Sequence, residues 1–291
     1  MSKKSTKLLD VIVIGAGASG MMAAITAARR GKSVAILERM NKPGKKILAT
    51  GNGKCNFTNN NMDTSRFHGN IQLIQSVLDR FSKEDTLSFF HEIGIWPKEK
   101  NGYYYPNSGQ AVSVVEAFNH ELNRLHVPVY LEQEVLDLFP DKYGFRIKTV
   151  QTSYTCRNVI VASGLLAASK LGSDGSMFSV IKELGHRFVP VLPALCGFYA
   201  KGIPFSKVAG VRCDANLTLK IDGDTAATEH GELQLTDYGI SGIPVFQISG
   251  PAVRALYEKK TVAVAIDFLP EISSEMLCTE FALRMERSKT E

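Results

Sequence analysis

Cysteine, tryptophan and metal-ligand patterns are scarce in this 291-residue chain. The five cysteines, Cys55, Cys156, Cys196, Cys213 and Cys278, are odd in number and scattered, and no CxxC occurs. This argues against a disulfide framework, a zinc site and a redox-active dithiol, and it predicts a reducing, cytoplasmic setting. The six histidines form no HxxxH or HExxH pattern, so no metal centre is expected. No hydrophobic run of membrane length is unbroken. From Leu8 to Ala28 only Asp10 is charged, but Gly15, Gly17 and Gly20 divide the segment into a β-branched run and an Ala-rich run. The opening MSKKSTK lacks the architecture of a secretory signal. Fixed-period repeats and low-complexity stretches are also missing. Apolar residues at 44% and charged residues at 22% exclude disorder, collagen and coiled coil as descriptions of the whole chain. At roughly 150 residues per domain, two domains are expected.

What is present begins with charge. The first 54 residues hold eleven Lys/Arg against two acids, Asp10 and Glu38. Such a basic segment suits nucleic acid, a membrane surface or a bound phosphate ligand, or it is a solvated face. The continuous β-branched run Leu9–Ile14 predicts a buried parallel strand. Residues 18–30 predict a helix ended by Gly31, and residues 33–38 a second buried strand. Residues 41–61, rich in Gly, Asn and Lys, predict a long functional loop. Helical patterns cover about 70–93 and 110–125, with a turn or hairpin at NGYYYPNSGQ between them. Residues 129–161 alternate in three runs and predict an antiparallel meander returning to the parallel sheet. A helix is expected over 174–184, ended by Gly185. Short alternating runs over 191–269 predict a second, mainly β domain.

The strongest motif is Gly15-Ala16-Gly17-Ala18-Ser19-Gly20. It follows a predicted strand, opens a predicted helix, and is followed by a strand ending in Glu38. That context raises a weak GxGxxG to a dinucleotide fingerprint. Gly15 permits the tight turn, Gly17 lets the backbone approach a pyrophosphate, and Gly20 lets helix and strand pack closely. The helix start supplies N–H donors and positive partial charge. Glu38 would accept hydrogen bonds from an adenosine ribose. Cys55 lies among lysines that would lower a thiol pKa, although no histidine stands near it and a cofactor loop is the favoured reading. Trp96 and Tyr103–Tyr105 are packing residues or a stacking platform.

The fingerprint followed by GKKILATGNGKCNFTN resembles the BaiN-like (YhiN-like) FAD-dependent flavoproteins of bacteria, whose signature is GKK, a short run, then TGxGRCNxTN. Lys54 stands where that pattern has arginine. NVIVASGLLA, ELGHRFVPVLPAL, LTDYGISGIP and NGYYYPNSGQA extend the resemblance over nearly the whole chain, with departures at Ser163, Leu165, Asp237, Ile243 and Tyr103. The resemblance implies an α/β fold. A doubly wound, Rossmann-like FAD domain with a β meander would span 1–190. A mainly β inserted domain would follow over 191–270, and a helical subdomain would start at 271–291. It places FAD against Gly15, Gly17, Ala18, Ser19 and Gly20 at the pyrophosphate, and against Glu38 and Arg39 at the adenosine. The loop residues Lys45, Lys46, Thr50, Gly51, Asn52, Gly53, Lys54, Cys55 and Asn56 would wrap the cofactor. Val135 would meet the adenine, with Ala162, Ser163 and Gly164 closing the adenosine side.

The implied activity is hydride transfer between flavin and a small organic or steroid-like substrate, either enone reduction or amino-ketone oxidation. With no second GxGxxG after Gly20, NAD(P)H would dock transiently. No nucleic-acid or membrane partner is expected. Tyr238 is a weak candidate proton donor, and no catalytic residue is named. The alternatives are an NAD-dependent dehydrogenase and a non-catalytic or incomplete nucleotide-binding module. The resemblance also implies a further C-terminal segment with an AGE-x-x-D-like strand, and nothing like it follows Gly164. Leu277, Phe281 and Met285 form a helical apolar stripe in need of packing. The chain is therefore expected to be C-terminally shortened and to retain flavin weakly alone, or else to dimerise through that stripe.

Overall fold

The computed structural model describes residues 8–200 and 205–287. The chain divides into two units, one running to Phe188 and one starting at Val189.

In the first unit, β1 (Leu9–Ile14), α1 (Ala18–Arg29) and β2 (Val34–Leu37) form the expected βαβ start. α2 (Lys45–Ala49) and β3 (Thr58–Asn59) follow, then α3 (Ile71–Leu78), α4 (Lys83–Glu92), β4 (Pro97–Lys100), β5 (Tyr103–Pro106) and α5 (Ala111–Arg124). Next come β6 (Val129–Tyr130), β7 (Val135–Asp141), β8 (Gly144–Thr149), β9 (Ser153–Val161) and α6 (Met177–Glu183). A six-stranded sheet has the order β6-β2-β1-β9-β8-β7. β1 pairs in parallel with both β2 and β9, and β2 with β6. β7, β8 and β9 are the antiparallel meander. A second sheet of the order β3-β5-β4 is the NGYYYP hairpin plus one short strand.

Burial explains the central strands. Val13, Ile12, Ala35 and Ile36 are fully buried, because the parallel sheet is covered on both faces. One face packs on α1 and α5 through Met21, Ile25, Val114, Phe118 and Leu122. The other meets the meander and α6 through Ile147, Cys156, Met177 and Val180.

Three expectations change here. The segment 41–61 is not a plain loop: it holds α2, a 3-10 turn over Thr50–Gly53, and β3. The helical stretch 70–93 is two helices, because Ser82 starts a new one. Its hydroxyl accepts from the Asp85 N–H, and the Asp85 carboxylate accepts back from the Ser82 N–H. The run beginning at Val129 is not the first meander strand. It pairs with β2, and the meander starts at Val135.

The second unit contains β10 (Phe198–Tyr199), β11 (Arg212–Ile221), β12 (Asp224–Leu235), β13 (Gly239–Gly242), α7 (Ile243–Tyr257), β14 (Val262–Asp267) and α8 (Ser274–Arg287). Its antiparallel sheet has the order β10-β13-β12-β11-β14. The fifteen-residue α7 is an element that the alternating runs over 191–269 did not announce. Pro251 lies inside this helix. A proline there costs about 3 kcal/mol. Val245, Ile248, Ala252 and Ala255 are buried on one face, against a core including Leu217, Leu219 and Leu233. At about 1.5–3 kcal/mol for each large apolar side chain, that face outweighs the proline. α8 forms as expected. Phe281 and Met285 are exposed, whereas Leu277 is half-buried.

Candidate functional site: a dinucleotide cleft

The parallel strands β2, β1 and β9 end side by side, and the chain leaves β1 and β9 in loops that diverge. A crevice at the carboxyl ends of such strands is where open α/β sheets bind ligands. The cleft found there has a volume of about 360 Å3, within the usual range for ligand pockets.

The glycine motif builds its floor. Gly15 has φ +103°, and a Cβ there would press on the Ala162 carbonyl. Gly20 is buried, and its Cβ would overlap the Gly15 carbonyl oxygen. Gly17 differs: a Cβ at Gly17 would meet nothing within 4 Å. The open space in front of it is the cleft. Gly17 is also the N-cap of α1, and no side chain caps that helix start. The backbone N–H groups of the first turn are thus available to an anion.

Glu38 sits opposite. The Ala16 N–H donates to Glu38 Oε2 at 2.6 Å, and the Met40 N–H donates to Oε1 at 2.7 Å. These bonds fix the carboxylate while each oxygen keeps a free lone pair for another donor. Lys42, Lys45 and Lys46 line the same cleft. Lys46 Nζ is 3.5 Å from the Ala167 carbonyl oxygen. The set pairs backbone donors and ammonium groups with one carboxylate, which suits a pyrophosphate joined to a ribose.

Of the residues expected from sequence, Gly15, Gly17, Ala18, Ser19, Glu38, Arg39, Lys45, Lys46, Thr50, Val135, Ala162, Ser163 and Gly164 line this cleft. Gly20 lies beneath it as a packing glycine. Gly51, Asn52, Gly53, Lys54, Cys55 and Asn56 are outside the lining. Asn56 Nδ2 donates to the carbonyls of Thr58 and Tyr104, which ties that loop to the small sheet. Cys55 is buried, and burial pushes its thiol pKa up, with a hydrogen bond to Thr50 pulling the other way. Its side chain is a buried member of the core cluster that holds Ile47 and Phe90. Trp96 is exposed beside the His91 ring, and Tyr238 stacks on Tyr199 in the second unit.

Sequence reasoning missed Met40, Lys42, Gln133, Gly172, Ser173 and Met177 in the lining. It also missed Asp174, whose Oδ2 accepts from Arg39 Nη1 at 2.7 Å. Arg39 holds the Asp174 carboxyl down to a pKa of about 2, helped by the Ser176 N–H. The Gly172-Ser173-Asp174-Gly175-Ser176 run is the one legible signal, a small-residue turn after a parallel strand.

Fold and cleft together define a Rossmann-like, dinucleotide-binding class. The HI0933-like protein Rossmann domain matches residues 9–263, and the chain belongs to that family. It is 43% identical over 278 residues to the 3-dehydro-bile acid delta(4,6)-reductase of Clostridium scindens, covering 94% of this chain and 68% of that one. It is 30% identical over 275 residues to the ribosomal RNA dihydrouridine synthase of Haemophilus influenzae, covering 91% and 65%. The chain thus spans about two thirds of the length of these curated relatives. Among solved structures it is similar to the 3-ketosteroid-delta4-(5alpha)-dehydrogenase of Rhodococcus jostii RHA1. The TM-score there is 0.52 at 15% identity, covering 73% of this chain and 61% of that one. That likeness is one of fold. Among the described residues no helix is long and apolar enough to cross a membrane, and no cluster of metal-binding side chains occurs.

Proposed function

We propose that this chain holds FAD in the β1–β2–β9 cleft and takes part in reducing a carbon–carbon double bond conjugated to a carbonyl. The observation that carries this reading is the 43% identity, over nearly the whole chain, to a reductase of that chemistry. A 3-dehydro bile acid has a ketone at C3, and delta(4,6) unsaturation is conjugated with it. Flavin supplies the hydride in such reactions, and the protein supplies position and electrostatics. Here the uncapped start of α1 with Lys42, Lys45 and Lys46 would receive the pyrophosphate. Glu38 would accept from the adenosine ribose, and Val135 would lie against the adenine. NAD(P)H would be a transient reductant in the same reaction cycle.

A second reading takes a uracil as substrate, because a second relative is a ribosomal RNA dihydrouridine synthase. The uracil C5–C6 bond is likewise conjugated with a carbonyl, so the two readings share a reaction and differ in what carries the enone. The test is to purify the chain, record flavin absorbance, and follow NADH and NADPH oxidation with a 3-oxo-4,6-diene steroid or a uridine-containing RNA transcript. Flavin with steroid-dependent oxidation supports the first reading. RNA-dependent oxidation with dihydrouridine in the product supports the second. Failure to bind added FAD overturns both.

A further inference from the structure

We propose that Asp174 is a positioning residue for the adenosine end of the FAD site, acting through Arg39. The proposal rests on the FAD reading above. Arg39 directly follows Glu38, whose carboxylate is pinned by two backbone N–H groups. The arginine itself has a long side chain with much rotamer freedom to lose. Two acids restrain it: Asp174 Oδ2 at 2.7 Å and Glu134 Oε1 at 3.7 Å. Asp174 is the nearer partner, and it is itself aimed, since the Ser176 N–H donates to its other oxygen at 3.1 Å.

The ion pair is one stitch in a seam. Gly172 packs so closely that a Cβ there would lie 2.9 Å from Met40 Cγ. Ser173 Oγ donates to the Leu165 carbonyl at 2.6 Å. Gly164 leaves no room for a side chain against Ser173 Oγ. The Gly172–Met40 contact holds the segment after β9 against the end of β2, and the Ser173 and Gly164 contacts fold that segment on itself, on the adenosine side of the cleft. The Arg39–Asp174 pair joins those two edges through side chains 135 residues apart.

Two effects oppose each other when Asp174 loses its charge. The cleft becomes more positive, which favours an anionic dinucleotide. Arg39 also loses its orientation, and the seam loosens. The Asp174 side chain is 40% exposed, so its Coulomb effect on a ligand is screened by water. Orientation therefore dominates, and the net sign is weaker binding.

The experiment measures FAD dissociation from the full 291-residue chain by recovery of flavin fluorescence, with ADP as a competitor carrying only the adenosine half. Asp174→Asn should speed FAD release about tenfold and weaken ADP competition by a similar factor, the scale of one charge-assisted hydrogen bond. Asp174→Glu should restore most of the loss, which loss of a merely structural contact would not predict. In an Arg39→Met background, Asp174→Asn should add nothing further. Unchanged or slower FAD release in Asp174→Asn overturns the proposal and leaves the FAD reading standing. An additive loss in the double variant also overturns it. No FAD binding by the unmodified chain removes the proposal together with the reading beneath it.

Discussion

Two glycine-rich loops of the first unit use glycine with different emphasis. In residues 15–20, glycine removes a side chain so that backbones can touch: Gly15 lies against the Ala162 carbonyl, and Gly20 against Gly15. In residues 51–53, glycine chiefly supplies handedness, with one close approach where a Cβ on Gly51 would lie 2.9 Å from the Asn56 backbone N. Gly51, Asn52 and Gly53 all have positive φ, at 55°, 56° and 82°, and a Cβ on Gly53 would meet nothing within 4 Å. The first loop faces a cleft across Gly17; the second is fastened to the small sheet by Asn56. Richness in glycine therefore does not by itself mark a ligand loop. What marks one is a glycine whose missing Cβ opens onto a cavity beside unpaired backbone donors.

The largest expected effect tests the packing half of this contrast. Gly20→Val would force a branched side chain into the Gly15 carbonyl, where the obstacle is backbone and cannot rotate away. Overpacking typically costs 1–3 kcal/mol, and a backbone clash in the central βα turn should exceed about 3 kcal/mol. Thermal unfolding should show the first unit lost or its transition far lowered. A melting curve like that of the unmodified chain would refute the close-approach role of Gly20.

Gly17→Val should have a smaller effect on folding and a decisive one on ligand. Gly17 has φ −80° and ψ −175°, extended backbone that valine adopts readily. With open space in front, stability without cofactor should change by less than about 1 kcal/mol. The valine would occupy the path of the pyrophosphate, and FAD titration should show no binding. Near-normal affinity would mean that the cleft takes its ligand elsewhere.

These two glycines were legible from sequence because every term in their argument is local: strand, turn, helix, and an acid at the end of the next strand. The meander was legible because period-2 alternation survives in residues 135–161. Other features depend on distant partners. Arg39 and Asp174 are far apart in sequence, and nothing local announces that they meet. Pro251 disguised α7, since the burial that offsets its cost is supplied by strands β11 and β12. The break between α3 and α4 was readable in principle, because Ser82 and Asp85 carry capping-box spacing. It was obscured by apolar residues continuing through Phe81. α3 leaves Leu73 and Val77 exposed, so periodicity there did not report a core face.

Glu38→Ala comes next in size and sharpens the ligand side of the contrast. The sequence suggests a residue that only binds ribose, but the structure adds two backbone donors, Ala16 and Met40, that would lose their acceptor. FAD affinity should fall by about 1.5–3 kcal/mol, the range for hydrogen bonds to a charged group. Stability without cofactor should fall too, by about 1–3 kcal/mol, because Ala16 is fully buried and its N–H would be left without an acceptor. Titration and melting of the same preparations separate the two losses. An unchanged FAD affinity would remove Glu38 from the site and leave it a turn-stabilising residue.

The smallest expected effect lies in the second loop, at Cys55. Its backbone is left-handed at φ 58°, and its side chain is a buried member of the cluster that also holds Ile47, Phe90 and Val115. Burial raises its thiol pKa, and no lysine contributes to the shift. A thiol so placed is mostly protonated at neutral pH and shielded from reagents, the opposite of what nucleophilic chemistry requires. Cys55→Ala should cost about 1 kcal/mol of stability from the lost packing of one sulfur atom. FAD affinity and steroid-dependent NAD(P)H oxidation should stay at the level of the unmodified chain. In the native protein, a thiol reagent at pH 7.5 should label the exposed Cys278 well before Cys55 or Cys156, whose thiol burial pushes up to about 11. Faster labelling at Cys55, or loss of turnover in Cys55→Ala with flavin still bound, would show that the second loop serves the chemistry. The contrast between the two glycine loops would then have to be redrawn.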